Sequence, residues 1–258
     1  GFRRDYVYFE QAPRLHGSIN LTGGRIDDVT LRDYRETVDP NSPEIVLLTP
    51  LGGPSAYYAD YGWAPADASV VVPGAGTVWT ADRDTLTADA PVTLSWDNGQ
   101  GLVFKRTISI DANYMFTGVQ SVVNNTDKPV QLAPYGRVLR FGTPVTQGYY
   151  VLHEGPYGVF NGTLEEKTYK DIQDDKAVKN STTGGWLGFT DKYWLAALIP
   201  DQAVKVDTQF LHQSDGEGRY LATYQADAVT VAPGQTVDST GRLFAGATKG
   251  RQQRSAHP

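Results

Sequence analysis

The chain has 258 residues, a formal net charge of −6 and no cysteine. These values exclude a disulfide framework, a cysteine-based zinc site and a thiol nucleophile, and they argue against non-specific nucleic-acid binding, which needs a basic surface. No apolar run approaches the roughly eighteen residues of a membrane-spanning helix, and the length suits either one large β domain or two ordinary domains.

The first half of the chain mixes turn-rich stretches with apolar strands. Residues 1–16 are polar or contain proline, and we expect a linker or an expression remnant there. Residues 59–87 are rich in Gly, Pro, Ala and Asp, which predicts long loops around short strands. From residue 102 to residue 110 apolar and polar side chains alternate, as in a half-buried strand. Its apolar face carries Leu102, Phe104, Ile108 and Ile110.

Further strands are predicted at residues 114–123 and 130–141, separated by the polar turn 124–127. Many short strands with turn signals between them predict an all-β protein, an antiparallel sandwich with at most one or two short helices. The charged segment Leu164–Lys179 is the place where one short helix would fit, and a solvated loop is the alternative.

The most hydrophobic stretch is GGWLGFTDKYWLAALIP, residues 184–200. Two apolar runs flank Thr190, Asp191 and Lys192, which suit a tight turn, and aromatic residues on both sides favour strands. A buried hairpin or a pair of strands is one reading of this stretch. An aromatic platform for a ligand, formed by Trp186, Tyr193 and Trp194, is the other.

The same stretch resembles the signature of the large periplasmic domain found in bacterial members of the YidC/Oxa/Alb family of membrane protein insertases. Three more stretches resemble that domain in the same order: GSINLTGGRIDDVTLRDYRETVDPNSPEIVLLTP (17–50), YVLHEGPYGVFNGTLEEKTYKD (150–171) and VAPGQTVDSTGRLFAGA (231–247). The resemblance therefore spans residues 17–247. Residues 248–258, TKGRQQRSAHP, match the expected approach to a membrane span poorly and are expected to be a linker or an expression remnant.

The resemblance implies a single β-supersandwich domain over residues 17–247, with a galactose mutarotase-like fold. It implies a monomeric domain on the periplasmic face of the bacterial inner membrane, between the first two spans of the insertase. The membrane-embedded part to which insertion is attributed is absent from this sequence. The domain is therefore expected to be non-catalytic and to bind the Sec translocon, with accessory proteins such as SecD and SecF, or substrate membrane proteins.

The rival function is a carbohydrate-binding or aldose-epimerase-like protein on the same fold, because a fold does not determine a function. Epimerase chemistry needs a general acid and a general base, typically His and Glu. His153 and Glu154 are adjacent, so on a strand they would point to opposite faces. His212 precedes a Gly-rich turn and is expected to be exposed. No catalytic residue, metal site or cofactor is predicted, since the acidic pairs lack the ligand spacing of a calcium loop.

A docking site for a partner protein is predicted in residues 155–183, where aromatic residues that look exposed lie among charges. The residues chosen for this site are Tyr157, Phe160, Tyr169, Glu165 and Lys170. The alternative is that Tyr157 and Phe160 belong to the core of an edge strand and that the charges form a solvated loop.

Overall fold

Alternating apolar and polar side chains run through most of the chain and produce strand after strand. A computed structural model describes residues 5–146 and 152–248. The described residues form these strands and one helix: β1 Tyr6–Phe9, β2 Leu15–Asn20, β3 Arg25–Arg35, β4 Glu44–Leu48, β5 Tyr57–Pro65, β6 Thr80–Ala81, β7 Thr85–Leu86, β8 Val92–Asp97, β9 Leu102–Ile110, β10 Met115–Asn124, β11 Val130–Phe141, β12 Gly155–Phe160, β13 Thr163–Glu166, α1 Tyr169–Asp175, β14 Ala177–Thr183, β15 Trp186–Thr190, β16 Trp194–Pro200, β17 Lys205–Gln213, β18 Arg219–Ala226, β19 Val229–Val231 and β20 Thr236–Ala247. The predicted all-β chain with a short helix is confirmed.

The strands form two sheets. The eleven-stranded sheet runs β14-β17-β18-β11-β5-β3-β2-β1-β7, with β19 beside β11 and β4 beside β3. The nine-stranded sheet runs β13-β12-β15-β16-β20-β10-β9-β8-β6. Pairing is antiparallel except between β1 and β7. No helix in the described part of the chain is long and apolar enough to cross a membrane.

The core lies between the two sheets and draws residues from both of them. Strand β9 shows how the sequence produces it, since its four predicted apolar residues are each at most 3 % exposed. Arg106 occupies the same face and is also buried. Its guanidinium donates hydrogen bonds to the carbonyl oxygens of Gly24 (2.9 Å) and Tyr61 (2.6 Å) on the opposite sheet. Burial lowers the pKa of Arg106.

Residues 184–200 form the buried hairpin that was one of the two readings, because β15 and β16 pair antiparallel. The two glycines before Trp186 both have a positive φ, +80° at Gly184 and +86° at Gly185. A Cβ at Gly185 would lie 2.0 Å from the carbonyl oxygen of Val159 on the neighbouring strand. Glycine is therefore required at Gly185 both by backbone conformation and by this close approach.

Of two predictions about the first third of the chain, one is wrong and the other holds only in part. Residues 1–16 were expected to be a linker, yet β1 and the start of β2 belong to the eleven-stranded sheet, where Val7 and Leu15 are buried. Residues 59–87 were expected to form long loops around short strands. This holds for residues 66–87, where β6 and β7 have two residues each, but not for residues 59–65, which belong to the long strand β5 at the centre of that sheet. Apolar aromatic side chains, rather than the Gly and Pro content, decide the structure of β5. Of the expected C-terminal linker, all but Thr248 lies outside the described residues.

Candidate functional site

The segment predicted to dock a partner consists of a hairpin, a helix and an edge strand. Strands β12 and β13 are joined by Asn161 and Gly162, whose φ angles of +50° and +79° suit a two-residue type I′ turn. The Asn161 side chain accepts a hydrogen bond from Thr183 N and donates one to Ser181 O (2.9 Å). It therefore covers part of the outer edge of β14, which would otherwise present unpaired backbone groups.

Helix α1 follows the hairpin and has one buried side and one exposed side. Thr168 caps its N-terminus in a capping box with Asp171. Tyr169 and Ile172 are buried, whereas Lys170 and Asp174 form an exposed ion pair at 2.8 Å. The helix thus packs an aromatic ring into the sandwich and leaves its charges in solvent.

The five residues predicted for docking do not form one surface. Phe160 and Tyr169 are each 5 % exposed and pack against Phe210 and Phe189, so the expectation that they are exposed is wrong. Glu165 faces β14, where it accepts a hydrogen bond from Asn180 (3.1 Å). Lys170 lies on the exposed side of α1. Tyr157 alone of the five is an aromatic residue with part of its ring at the surface.

An apolar strip surrounds Tyr157 on the outward side of the nine-stranded sheet. The strand registers place Val159 beside both Leu164 and Trp186, and the ring centroids of Tyr157 and Trp186 are 5.1 Å apart. Leu164 is 49 % exposed. We call Tyr157, Val159, Leu164 and Trp186 the outer strip. Sequence reasoning missed Val159 and Leu164, although their alternation with buried neighbours was the available signal.

The three residues of the predicted aromatic platform do not form one surface: the rings of Tyr193 and Trp194 are in contact, with 6.3 Å between centroids, but Trp186 lies apart from them. Trp186 begins β15 and Trp194 begins β16, so the antiparallel pairing places them at opposite ends of the hairpin. Trp194 packs edge-on against Tyr34, with 5.0 Å between ring centroids. Tyr193 accepts a hydrogen bond from Thr248 N at 2.9 Å. The two tryptophans therefore contact different parts of the domain, Trp186 next to Tyr157 and Trp194 next to Tyr34.

An ion pair joins the sheets near α1. Arg140 on β11 donates two hydrogen bonds to the Asp191 carboxylate (2.9 and 3.2 Å) and one to the Tyr169 hydroxyl (3.1 Å). Its guanidinium also lies 4.4 Å from the centre of the Tyr57 ring. Burial opposes the charge of Arg140, but Tyr57, Tyr169 and Asp191 outweigh that effect, and the pKa of Arg140 is raised. The arrangement holds α1 and the β15–β16 turn onto the eleven-stranded sheet.

The outward face of the eleven-stranded sheet carries a groove of about 730 Å³. Its lining residues include Tyr135, Arg137, Asp207, Gln209, Thr223 and Gln225. Arg137 donates hydrogen bonds of 2.8 and 2.6 Å to both oxygens of Asp60. Burial alone would lower the pKa of Arg137. The hydrogen bonds and the negative charge of Asp60 outweigh the effect of burial, so the pKa of Arg137 is raised. The groove therefore has a polar wall built around a fixed ion pair.

The residues that line this groove differ from the histidine and glutamate that epimerase chemistry typically uses. The lining residues include neither histidine nor glutamate, and their carboxylates are those of Asp207 and Asp227. His153 Nε2 donates a hydrogen bond to Pro156 O (2.9 Å), and His212 is half-buried against the Tyr220 ring rather than exposed. Among the described residues, no group of three or more side chains is placed to hold a metal ion.

Comparison with known proteins identifies relatives along almost the whole chain. The model of the YidC periplasmic domain family matches residues 11–253. Membrane protein insertase YidC of Beijerinckia indica is 54% identical over 240 residues, which are 91% of this chain and 40% of that protein. The corresponding protein of Granulibacter bethesdensis is 50% identical over 244 residues, 92% of this chain and 42% of that protein. The chain thus spans about two fifths of the length of these curated relatives.

Solved structures confirm the predicted fold. A galactose mutarotase-like protein from Lactobacillus casei aligns with a TM-score of 0.56 at 10% identity, covering 93% of this chain and 99% of that one. A putative aldose 1-epimerase from Escherichia coli K12 aligns with a TM-score of 0.52 at 9% identity, covering 94% and 99%. At such identities the likeness concerns the fold alone.

Proposed function

Because this chain belongs to the YidC periplasmic domain family, we propose that it is the non-catalytic periplasmic part of a membrane protein insertase. In this proposal the domain lies at the periplasmic face of the inner membrane and supports insertion by binding partner proteins. The proposed partners are Sec translocon components and their accessory proteins, such as SecD and SecF. The remaining three fifths of such an insertase would carry the membrane-embedded chemistry.

The outer strip is the observation that carries this proposal. Tyr157 and Trp186 pack together, and Leu164 is half exposed beside them. Large apolar and aromatic side chains grouped at the surface and bordered by charges are typical of protein interfaces. Glu166 lies opposite Tyr157 in the strand register and supplies such a charge. The strip lies on paired strands, so a partner would meet a preformed surface.

The test is copurification of SecD and SecF with the intact insertase that carries this domain. A Tyr157→Ser and Leu164→Ser double variant should weaken recovery of these partners, because both changes remove apolar contact area from the strip. Leu51→Ser is the matched control, since Leu51 is 46 % exposed in a different part of the surface. Recovery that is unchanged in the double variant, or lost equally in the control, would refute docking at this strip.

The non-catalytic part of the proposal has a test of its own. The alternative, an aldose epimerase on the same fold, predicts that the chain accelerates mutarotation of galactose or glucose. We expect polarimetry to detect no acceleration. A rate increase that disappears in a His153→Ala or His212→Ala variant would establish the enzyme alternative instead.

A further inference from the structure

A second cavity opens between the two sheets, at the end of β11 away from Arg140. Its volume is about 320 Å³. Trp63, Pro134 and Tyr224 line it from the eleven-stranded sheet, and Pro200 lines it from β16. We call it the end pocket. Its volume lies at the lower end of the range of about 300 to 1,000 Å³ that is usual for ligand sites, so it suits one or two side chains of a ligand.

One polar group inside the end pocket lacks a partner. Tyr224 is 5 % exposed, and its hydroxyl makes no hydrogen bond within residues 5–146 and 152–248. The backbone of Gly241 approaches this hydroxyl so closely that a Cβ there would lie 2.3 Å from it. Burial raises the pKa of Tyr224 well above its usual value, so the phenol stays neutral and keeps its proton for donation. Tyr224 lines the pocket, so a ligand with an acceptor would take the hydrogen bond that water otherwise accepts there.

The mouth of the end pocket is acidic and partly apolar. Asp201, Asp227 and Asp238 lie around it with Lys205 as a counter-charge. All four are exposed, and in the part of the chain that the structure describes no ion pair joins them to each other or to other residues. Val204 and Val229 also line the mouth and are 41 % and 38 % exposed.

We propose that the end pocket binds an extended peptide segment in which a large apolar side chain lies between basic residues. The apolar side chain enters between Trp63, Pro134 and Pro200, while a backbone carbonyl accepts a hydrogen bond from the Tyr224 hydroxyl. The flanking lysine or arginine side chains lie along the acidic mouth, which attracts them electrostatically. The exposed valines contact the apolar stems of those basic side chains.

The first experiment compares three short peptides on the 258-residue chain by isothermal titration calorimetry. We expect acetyl-GKFKG-amide to bind with a Kd of about 1 mM. Acetyl-GEFEG-amide and acetyl-GKGKG-amide should each bind roughly fivefold more weakly or worse, because one has the wrong charge and the other has no apolar anchor. Raising the ionic strength from about 0.01 M to about 1 M should weaken the binding of acetyl-GKFKG-amide, since the Debye length falls from about 30 Å to about 3 Å.

The second experiment changes the pocket. An Asp227→Asn and Asp238→Asn double variant should bind acetyl-GKFKG-amide roughly five- to tenfold more weakly than the parent chain, as expected for the loss of two exposed charge contacts. The matched control is the Asp89→Asn and Asp215→Asn double variant, which changes net charge equally at exposed sites elsewhere. Ser239→Phe places a ring in the pocket, since Ser239 lines it, and should abolish binding.

Three results would overturn the proposal. One is equal affinity for the lysine and glutamate peptides, and another is an equal loss in the two double variants. The third is the absence of binding to any peptide at about 10 mM, ten times the expected Kd. If Ser239→Phe fails to fold, the pair of charge variants decides, because their substitutions lie on exposed side chains.

Discussion

Asp191 and Arg140, which are 51 residues apart in sequence, form a two-pronged ion pair that joins the two sheets (2.9 and 3.2 Å). Asp191 lies in the β15–β16 turn, so a residue predicted only to make a turn also fixes the position of the hairpin. The Tyr169 hydroxyl accepts a third hydrogen bond from the same guanidinium. This cluster connects β11, the hairpin and α1.

Replacing Asp191 with Asn should lower the free energy of unfolding by about 3 kcal/mol, because it leaves the Arg140 charge buried without its counter-charge. Urea denaturation measures this change. Asp174→Asn is the control, since it breaks the exposed Lys170–Asp174 pair and should leave the unfolding midpoint unchanged. Equal midpoints for Asp191→Asn and the parent chain would show that the ion pair does not stabilise the fold.

Gly185→Ala should destabilise the chain much more than Gly184→Ala. Both positions have a positive φ, which costs a residue with a Cβ about 1–2 kcal/mol. Only at Gly185 would the Cβ also meet a backbone carbonyl, at 2.0 Å, whereas at Gly184 the nearest atom is the Gln202 side-chain oxygen at 3.4 Å. We expect a loss of about 4 kcal/mol or more at Gly185. Thermal unfolding of the two variants, side by side, separates the two effects, and similar losses would contradict the predicted clash.

Asn161→Ala should cost about 2 kcal/mol, because the turn needs a positive φ and the side chain bonds the backbone of β14. Asn161→Gly keeps the backbone conformation and loses only the side-chain bonds, so it should cost about 1 kcal/mol. Both variants uncover the edge of β14, and we expect more aggregation in light scattering. If the glycine variant is as soluble and stable as the parent chain, the cap on β14 is unimportant.

The free energy of unfolding should fall steeply above pH 10. Burial raises the pKa values of Tyr57, Tyr61, Tyr169 and Tyr224. In the unfolded chain these phenols lose their protons near pH 10, while the folded chain retains them. The stability that the four buried phenols contribute is therefore complete below pH 10. It is lost as the pH rises above 10, by about 1.4 kcal/mol per pH unit for each tyrosine.

Tyr61→Phe tests this alkaline dependence. The Tyr61 hydroxyl is buried without a hydrogen-bond partner, so its removal should change stability at neutral pH little. Above pH 10 the fall of the unfolding free energy with pH should become shallower by the contribution of one tyrosine, about 1.4 kcal/mol per pH unit. Tyr8→Phe serves as the control, because Tyr8 is 56 % exposed and its removal should leave the slope unchanged. Denaturant titrations between about pH 7 and pH 12 give both slopes.

Local pattern was sufficient for much of the fold. The alternation at residues 102–110 predicted β9, and the turn inside residues 184–200 predicted the hairpin. Arg106 was missed because a charged residue breaks the apolar pattern, although its position in the alternation places it on the buried face. The groups that make its burial tolerable, the carbonyl oxygens of Gly24 and Tyr61 and the ring of Trp79 at 4.7 Å, are far away in sequence.

The docking residues could not be assigned correctly for a related reason. Phe160 and Tyr169 lie in a polar stretch, and the aromatic residues that cover them come from β15, β17 and β18. Exposure depends on such distant neighbours, which local composition does not contain. The pairing of Val159 with Leu164 and Trp186 likewise follows from strand register.

The groove and the end pocket have a wall in common, because Tyr224, Ala226, Asp227 and Ala228 line both of them. A ligand that shifts this wall in one cavity alters the shape offered to a ligand in the other. The two occupancies are then thermodynamically coupled, and the coupling is reciprocal, since each ligand changes the affinity of the other by the same factor. At this end of the eleven-stranded sheet the two cavities are therefore not structurally independent.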